Sequence, residues 1–232
     1  SGAEGLEMIE EALGENGLQI KNQTAFVSNS NSGWYGSLTS VSVESMYMIE
    51  TSAAHELTLI GNIVNPENHP ITIGTNWKWI SYLLSESISV EDALGTINPN
   101  HGDYIKSHTL FSQYYDGIGW VGGLNTMNPG EGYMYQNTSG TTKTLVYPSN
   151  SSSKERKANV TSENNHWIAD AGKYANNMSM IAFVKDNLET EYEIGAFVGE
   201  ELRGSARPIY IEALDSYLIF MTIYGESNEE VT

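Results

Sequence analysis

The chain has 232 residues, a formal net charge of −18 at pH 7 and no cysteine. The missing cysteines exclude disulfides, zinc–thiolate sites, iron–sulfur clusters and cysteine nucleophiles, and the acidic surface disfavours nucleic-acid phosphates and anionic lipid headgroups as partners. Because no apolar run approaches the roughly 20 residues of a bilayer span, we expect no membrane insertion of this segment.

Three blocks of sequence occur twice in the same order, which predicts two copies of one module. Each block of the first copy returns 81 to 86 positions later: residues 10–14 at 91–95, 20–26 at 105–111, and 33–38 at 119–124. Small loop insertions would cause this drift in spacing. We therefore expect a first module over residues 1–70 and a second module over residues 71–150.

The second copy opens with a strand that has no match in the first copy. Residues 77–84 (Trp-Lys-Trp-Ile-Ser-Tyr-Leu-Leu) predict this strand. We therefore expect the chain to begin inside its first module, which is then incomplete at its N-terminal side. Residues 57–60 close that module, and residues 62–70 link it to the next.

The rest of the second copy predicts one short helix and several strands. Residues 89–94 predict the helix, because Ser89 can cap its start and Asp92 stands at the reciprocal capping position. Aromatic and β-branched residues, interrupted by the turn signals Asp116-Gly117 and Asn128-Pro129-Gly130, predict strands over residues 103–115, 119–124, 132–136 and 144–147.

The C-terminal third reads as a separate β domain. Residues 148–157 are small, polar and charged, and predict an exposed linker before a domain over residues 158–232. Apolar runs there predict strands over residues 178–185, 192–198, 202–212 and 217–224, a pattern typical of a small sandwich. Residues 229–232 begin a further strand, so we expect the natural chain to continue.

The expected fold class follows from these elements. It is mainly β with short helices (α+β): two similar small α+β modules and a C-terminal β-sandwich-like domain.

The residues that most often carry chemistry show no reactive pattern. The five histidines are scattered without the spacing of a metal site: His55, His69, His101, His108 and His166. No nucleophile elbow or phosphate-binding glycine loop occurs. We therefore expect no catalytic residue, no metal and no cofactor. A glycosidase would need two carboxylates facing each other across a cleft at ~5–9.5 Å, an alternative that the sequence leaves open.

The aromatic residues are the remaining candidates for binding: 14 Tyr, 5 Trp and 5 Phe. Trp and Tyr offer rigid apolar faces that stack on sugars or anchor protein partners. Trp34 and Trp120 occupy matched positions in the two copies, and Trp77 and Trp79 alternate on one strand face, so we expect structural roles and inward packing for these four. The candidates for an exposed ligand-binding surface lie near Gly-rich turns: Tyr114, Tyr115, Tyr133 and Tyr135.

At these motifs the chain resembles repeat modules of secreted and cell-surface proteins of Bacteroidetes. The matching stretches are Trp77–Ile80, Ala93-Leu94, Gly102–Ser107, Gly119–Leu124 and Pro129–Met134, and a tail that often follows such modules matches Asn177–Ala182 and Ile194–Gly204. The resemblance implies an extracellular or outer-membrane surface location and no reaction. The first copy departs from the pattern at Val43-Glu44-Ser45, where Pro-Gly-x would stand.

These observations favour a non-catalytic surface binding or adhesion protein whose ligand is a glycan or a host protein. Tandem modules can raise avidity without one strong site. The alternatives are an accessory, non-catalytic region of a larger secreted hydrolase, a hydrolase in its own right, and a spacer that projects other domains. The sequence does not predict the oligomeric state or which module binds.

Overall fold

The computed structural model of the protein describes residues 1–149, 166–174, 176–184 and 192–226. Within these residues the chain is mainly β, with several sheets and few short helices. The α-helices are α1 (Gly2–Leu13) and α2 (Val90–Ala93). The prediction of a mainly β chain with short helices is confirmed.

The first sheet follows α1 and has four antiparallel strands. Its order is β3-β2-β1-β4. The strands are β1 (Gly17–Lys21), β2 (Phe26–Ser30), β3 (Gly33–Gly36) and β4 (Met48–Thr51). One side of α1 packs on this sheet, so that Leu6 and Leu13 share a small core with Ile20, Val27 and Leu38.

The second sheet has five antiparallel strands in the order β10-β9-β8-β12-β6, and two short ribbons, β11-β7 and β13-β5, flank it. Its strands and those of the ribbons are β5 (Ile71–Ile73), β6 (Asn76–Ser81), β7 (Ile88–Ser89), β8 (Tyr104–Lys106), β9 (Phe111–Tyr115), β10 (Gly119–Gly122), β11 (Thr126–Met127), β12 (Gly132–Asn137) and β13 (Lys143–Leu145). The predicted cap of α2 is confirmed, since the Ser89 hydroxyl accepts the Asp92 amide at 3.0 Å.

Four strands of the second sheet repeat the order and the register of the first sheet. Strand β1 places Ile20 opposite Val27 and Ile49, and β8 places Ile105 opposite Ser112 and Tyr135. The turns agree as well: the Asn22 amide donates to the Ala25 carbonyl at 2.9 Å, as that of Ser107 does to the Leu110 carbonyl at 2.8 Å. Thus β1, β2, β3 and β4 correspond to β8, β9, β10 and β12.

The second sheet differs by the additional strand β6 and by a larger core. Sixteen residues form that core, against five around the first sheet. Strand β6 and the residues that follow it, the ribbons, α2 and the chain after β13 supply additional apolar side chains, among them Ile80, Tyr82 and Tyr147. Because buried apolar area drives folding, we expect the second sheet to be the more stable of the two.

Side-chain contacts join the first sheet to the second. Gln23, in the β1–β2 turn, donates its amide to the Trp77 carbonyl at 2.9 Å and accepts the Trp79 amide at 3.1 Å. The imidazole of His69 lies 2.7 Å from a Glu44 carboxylate oxygen. The Gln23 contacts satisfy backbone groups on the outer edge of β6, which an edge strand otherwise leaves exposed.

The expected inward packing of Trp77 and Trp79 is wrong, since neither side chain faces the core of the second sheet. Ile80 is fully buried in the core, and alternation along β6 therefore places the two tryptophans on the other face of the strand. Trp77 is 38% exposed, with its ring edge-on to Tyr104 at 5.8 Å, and Trp79 is half-buried.

The C-terminal region contains one sheet in the order β14-β18-β17 and a β15-β16 hairpin. Its strands are β14 (Asn176–Val184), β15 (Ile194–Val198), β16 (Glu201–Ala206), β17 (Ile209–Ile211) and β18 (Ser216–Gly225). The strand predicted over residues 202–212 is divided into β16 and β17 around Pro208, which has no amide proton for a continuous ladder. Most of the predicted linker and the predicted strand at residues 229–232 lie outside the described residues.

Candidate binding cleft

Tyr133 and Tyr135 are fully buried, so the prediction that they form an exposed surface is wrong. Both lie on β12, between β8 and β6, and point into the core of the second sheet. The Tyr133 hydroxyl accepts the Asn128 amide at 2.7 Å and donates to Glu131 at 2.6 Å. The nearby Gly-rich turn is exposed, but the strand that follows it is central and its alternate side chains face inward.

Tyr114 and Tyr115 are half-buried on β9 and do not join the other two tyrosines in one surface. As neighbours in a strand they point to opposite faces. The Tyr114 ring meets Trp120 edge-on at 5.5 Å, and the Tyr115 hydroxyl donates to Gln113 at 3.0 Å. Their exposed area is therefore divided between two sides of the sheet.

Trp34 and Trp120 take corresponding places in the two sheets. Trp34 on β3 stands opposite Asn29, and Trp120 on β10 stands opposite Tyr114. Each ring is partly buried and packs against the core of its own sheet.

Asp103 is a fully buried carboxylate that its neighbours saturate. One oxygen accepts the Thr138 amide and hydroxyl, both at 2.7 Å. The other accepts Lys143 Nζ at 2.6 Å, the Tyr135 hydroxyl at 2.7 Å and the Asn100 amide at 2.9 Å. Burial raises the pKa of Asp103, but the Lys143 ammonium and the other donors outweigh it and lower the pKa to about 2. A carboxylate so bonded holds strands together and has no free lone pair for acid–base chemistry.

A cleft of about 230 Å³ lies where the β8–β9 turn meets the C-terminal sheet. Its floor is formed by the aromatic residues Phe111, Phe220 and Tyr224, which are buried. Its rim carries Leu110 from the turn and Ile168, whose side chain is 83% exposed. The cleft thus combines a packed aromatic base with an accessible apolar rim.

The wall of the cleft is Trp167, which the β15–β16 hairpin holds in place. The Trp167 amide donates to Glu193 at 3.2 Å, and its carbonyl accepts the Ser205 hydroxyl at 2.6 Å. The ring meets Phe197 edge-on at 5.5 Å. Gly195 permits this packing, because a Cβ at that position would lie 2.9 Å from the indole.

The opposite wall joins β18 to the β8–β9 turn. The Thr222 hydroxyl donates to the Thr109 carbonyl at 2.8 Å, and Phe220 packs against Phe111 with ring centroids 5.8 Å apart. Beside the cleft, Lys106 Nζ donates to the Asn177 side chain at 3.0 Å. These contacts join the second sheet to the C-terminal sheet on this side of the cleft.

The cleft lining is aromatic, aliphatic and hydroxyl-bearing. Tyr224 is the one ionisable residue of the lining within the described ranges, and burial raises the pKa of that phenol. The hydroxyls come from Thr109, Ser205 and Thr222. Among the residues that the structure describes, no carboxylate, imidazole or amine lines the cleft. Such a surface suits a ring with one apolar face and a polar edge.

The histidines do not converge on one site. His55 donates to the Ala12 carbonyl and accepts the Asn16 side-chain amide, His69 pairs with Glu44, and His101 packs on Tyr115. Within the described ranges, no group of three or more His, Asp or Glu side chains is arranged to hold a metal ion.

The longest helix among the described residues, Gly2–Leu13, is too short to cross a bilayer.

The sequence interpretation missed Trp167 altogether. A signal was present: a single tryptophan stands after the polar run Glu163-Asn164-Asn165-His166, where no strand pattern explains it. An isolated large aromatic residue in a polar connection marks either a local anchor or a binding contact.

Comparison of the chain with protein-family models, with curated proteins and with solved structures finds no match in any of the three.

Proposed function

We propose that the protein is a non-catalytic carbohydrate-binding protein and that the cleft beside Trp167 is its ligand site. The observation that carries the proposal is the lining of that cleft: as far as the structure describes the chain, aromatic rings and hydroxyls meet there without a carboxylate, an imidazole or an amine. An indole and an aliphatic rim can stack on the apolar face of a sugar, while hydroxyls and carbonyls meet its polar edge.

The size of the cleft limits what it holds. Its volume of about 230 Å³ is below the ~300 Å³ at which pockets for drug-sized ligands begin. A single ring-sized group therefore enters it, and the rest of a longer glycan lies outside, along the exposed rim at Leu110 and Ile168.

The proposed organisation follows the strand equivalences. We assign two similar α+β modules to residues 1–70 and 71–150, and a sandwich-like β domain to residues 158–232. In this arrangement the β1–β2 turn and its counterpart, the β8–β9 turn, each dock on the next unit, as Gln23 does on β6 and Thr109 on β18.

We place the protein outside the cell or on the outer-membrane surface. Charged residues make up only 17% of the chain, below the usual ~25%, so Ser, Thr, Asn and Tyr supply much of its polar surface. The same binding role would serve an accessory region of a larger secreted hydrolase.

The test is an oligosaccharide array probed with the full chain and three variants. Trp167→Ala removes the wall, and Ile168→Asp places a charge on an exposed rim position without disturbing the core. Tyr35→Ala is the matched control, because Tyr35 is an exposed aromatic residue on β3, outside the cleft.

We expect at least tenfold weaker binding for Trp167→Ala, since a central aromatic contact contributes ~2 kcal/mol or more. Ile168→Asp should weaken binding as well, and Tyr35→Ala should bind like the native chain. Absence of binding to every oligosaccharide, or equal binding by all four proteins, contradicts the proposal.

A further inference from the structure

Strand β4 pairs on one side only, whereas its counterpart β12 pairs on both. In the second sheet β12 lies between β8 and β6; in the first sheet β4 pairs with β1 and is the last strand of the sheet. Among the described residues, no strand occupies the position next to β4 that β6 occupies next to β12.

The contacts of β6 show which way the backbone amide and carbonyl of each of its residues point. Trp77 and Trp79 bond outward to Gln23, so the backbone groups of Lys78 and Ile80 point the other way, toward Tyr135 and Tyr133 on β12. The residues of β12 that receive β6 are therefore Tyr133 and Tyr135.

The same alternation applies to the first sheet through the shared register. Met48 stands opposite Lys21 as Met134 stands opposite Lys106. Tyr47 and Ile49 are thus the counterparts of Tyr133 and Tyr135, and the amide and carbonyl of Ile49 point to the open edge.

Burial differs sharply between the two corresponding positions. Ile49 is 39% exposed, while Tyr135 is fully buried. Tyr47 keeps the contact of its counterpart, since its hydroxyl accepts the Ser42 amide at 2.8 Å as that of Tyr133 accepts the Asn128 amide. The first sheet therefore has the geometry of the receiving strand, and within the described part of the chain no strand covers it.

We propose that the open edge of β4 binds an extended peptide strand of the β6 type, antiparallel, with the pattern aromatic-x-aromatic-aliphatic. In the second sheet Ile80 stands opposite Tyr133 and covers the core, while Trp77 and Trp79 lie on the other face. An incoming strand places its aliphatic residue opposite Tyr47 in the same way. Main-chain hydrogen bonds supply the affinity and the alternate side chains supply the specificity.

This surface is separate from the cleft, so the proposal does not depend on carbohydrate binding. An unpaired edge also attracts other chains, which makes a second copy of this protein the competing occupant.

The experiment titrates the full chain with a synthetic peptide of residues 75–82, Thr-Asn-Trp-Lys-Trp-Ile-Ser-Tyr. We expect saturable one-to-one binding and slower hydrogen exchange of the Ile49 and Thr51 amides. Two modified peptides test the geometry. N-methylation at the positions of Lys78 and Ile80 removes the donors that would face β4, and N-methylation at the positions of Trp77 and Trp79 removes donors that would face solvent.

The first modified peptide should bind at least tenfold more weakly, and the second should bind within about threefold of the parent peptide. The protein is unchanged in all arms, so misfolding cannot imitate the result. Equal binding by both modified peptides, protection in the cleft instead of β4, or no binding overturns the proposal. A concentration-dependent dimer that protects Ile49 without peptide overturns it in favour of a second copy.

Discussion

Lys143 Nζ lies 2.6 Å from Asp103 Oδ2, and both side chains are buried. The pair joins β13 to the residue that precedes β8, and Lys143 also donates to the Asn98 carbonyl at 3.1 Å. Removing one partner of a buried charge pair strongly destabilises a protein, because the other charge is left unpaired in a region of low polarity.

Replacing Lys143 by Met should therefore lower the free energy of unfolding by about 3–5 kcal/mol, since it leaves the Asp103 carboxylate without its cation. The methionine keeps most of the aliphatic stem, so lost packing contributes little. Lys21→Met is the control, because Lys21 is exposed on β1 and its loss should change stability by less than about 0.5 kcal/mol. Urea denaturation measures both. A Lys143→Met protein as stable as Lys21→Met would show that the pair is not needed.

The low pKa of Asp103 gives stability a defined pH dependence. A carboxyl whose pKa falls from 3.8 in the unfolded chain to about 2 in the folded protein favours folding at every pH above 3.8. The contribution, about 2 kcal/mol, is lost as the pH falls from about 4 to 2, where the carboxyl becomes protonated in both states. Urea denaturation at pH 2, 3, 4 and 6 measures this slope. Asp103→Asn should lose stability at pH 6 and show a shallower dependence below pH 4.

The sequence did not reveal the cluster around Asp103, because its members are far apart along the chain. Lys143 follows Asp103 by 40 positions in the sequence, and Tyr135 follows it by 32. Local pattern places Asp103 near a turn and Lys143 on a strand, and neither position indicates that strand pairing brings them together. The same limit explains Tyr133 and Tyr135: their alternation is visible in the sequence, but the inward side depends on β6 and β8 packing on β12.

The repeated motif Gly-Trp-x-Gly, by contrast, did predict matched structure in the two copies, because the local backbone requires each of its glycines. Gly33 and Gly119 have φ values of 101° and 100°, which favour glycine, and Gly36 and Gly122 lie against the carbonyls of Phe26 and Phe111. The same backbone requirements in both copies predict the same local structure, and the β2–β3 and β9–β10 hairpins do share their register.

Gly36→Ala and Gly122→Ala should each destabilise the protein by about 3 kcal/mol or more. A Cβ at Gly36 would lie 2.1 Å from the Phe26 carbonyl oxygen, and one at Gly122 would lie 2.4 Å from that of Phe111. Backbone atoms cannot move aside as a flexible side chain can. Gly117→Ala is the control: its φ of 79° costs about 1 kcal/mol, but its Cβ would meet open space. Thermal unfolding of the three variants separates crowding from backbone conformation, and equal losses would contradict the close approach.

Tyr133→Phe and Tyr47→Phe form a matched pair at corresponding positions. Both remove a hydroxyl that accepts a loop amide, from Asn128 and Ser42 respectively. Tyr133 is fully buried and Tyr47 only partly, so water can replace the lost bond at Ser42 more easily. We expect a loss of about 1–3 kcal/mol for Tyr133→Phe and less than about 1 kcal/mol for Tyr47→Phe. Urea denaturation measures the stability of both variants. A larger loss of stability for Tyr47→Phe than for Tyr133→Phe would contradict the prediction.

Gly195→Ala tests how the cleft wall is positioned. The new methyl carbon would lie 2.7 Å from the Phe197 ring and 2.9 Å from the Trp167 indole, so at least one ring must shift. With 5-fluorotryptophan in the chain, the ¹⁹F resonance of Trp167, assigned by Trp167→Phe, should move while those of the other four tryptophans stay. Gly172→Ala, whose methyl would make an ordinary 3.5 Å contact with Asp170, should leave all five in place. If the indole forms the ligand contact, Gly195→Ala also weakens binding to the oligosaccharide found on the array, and Gly172→Ala does not. An unmoved Trp167 resonance would mean that Gly195 does not set the position of the wall.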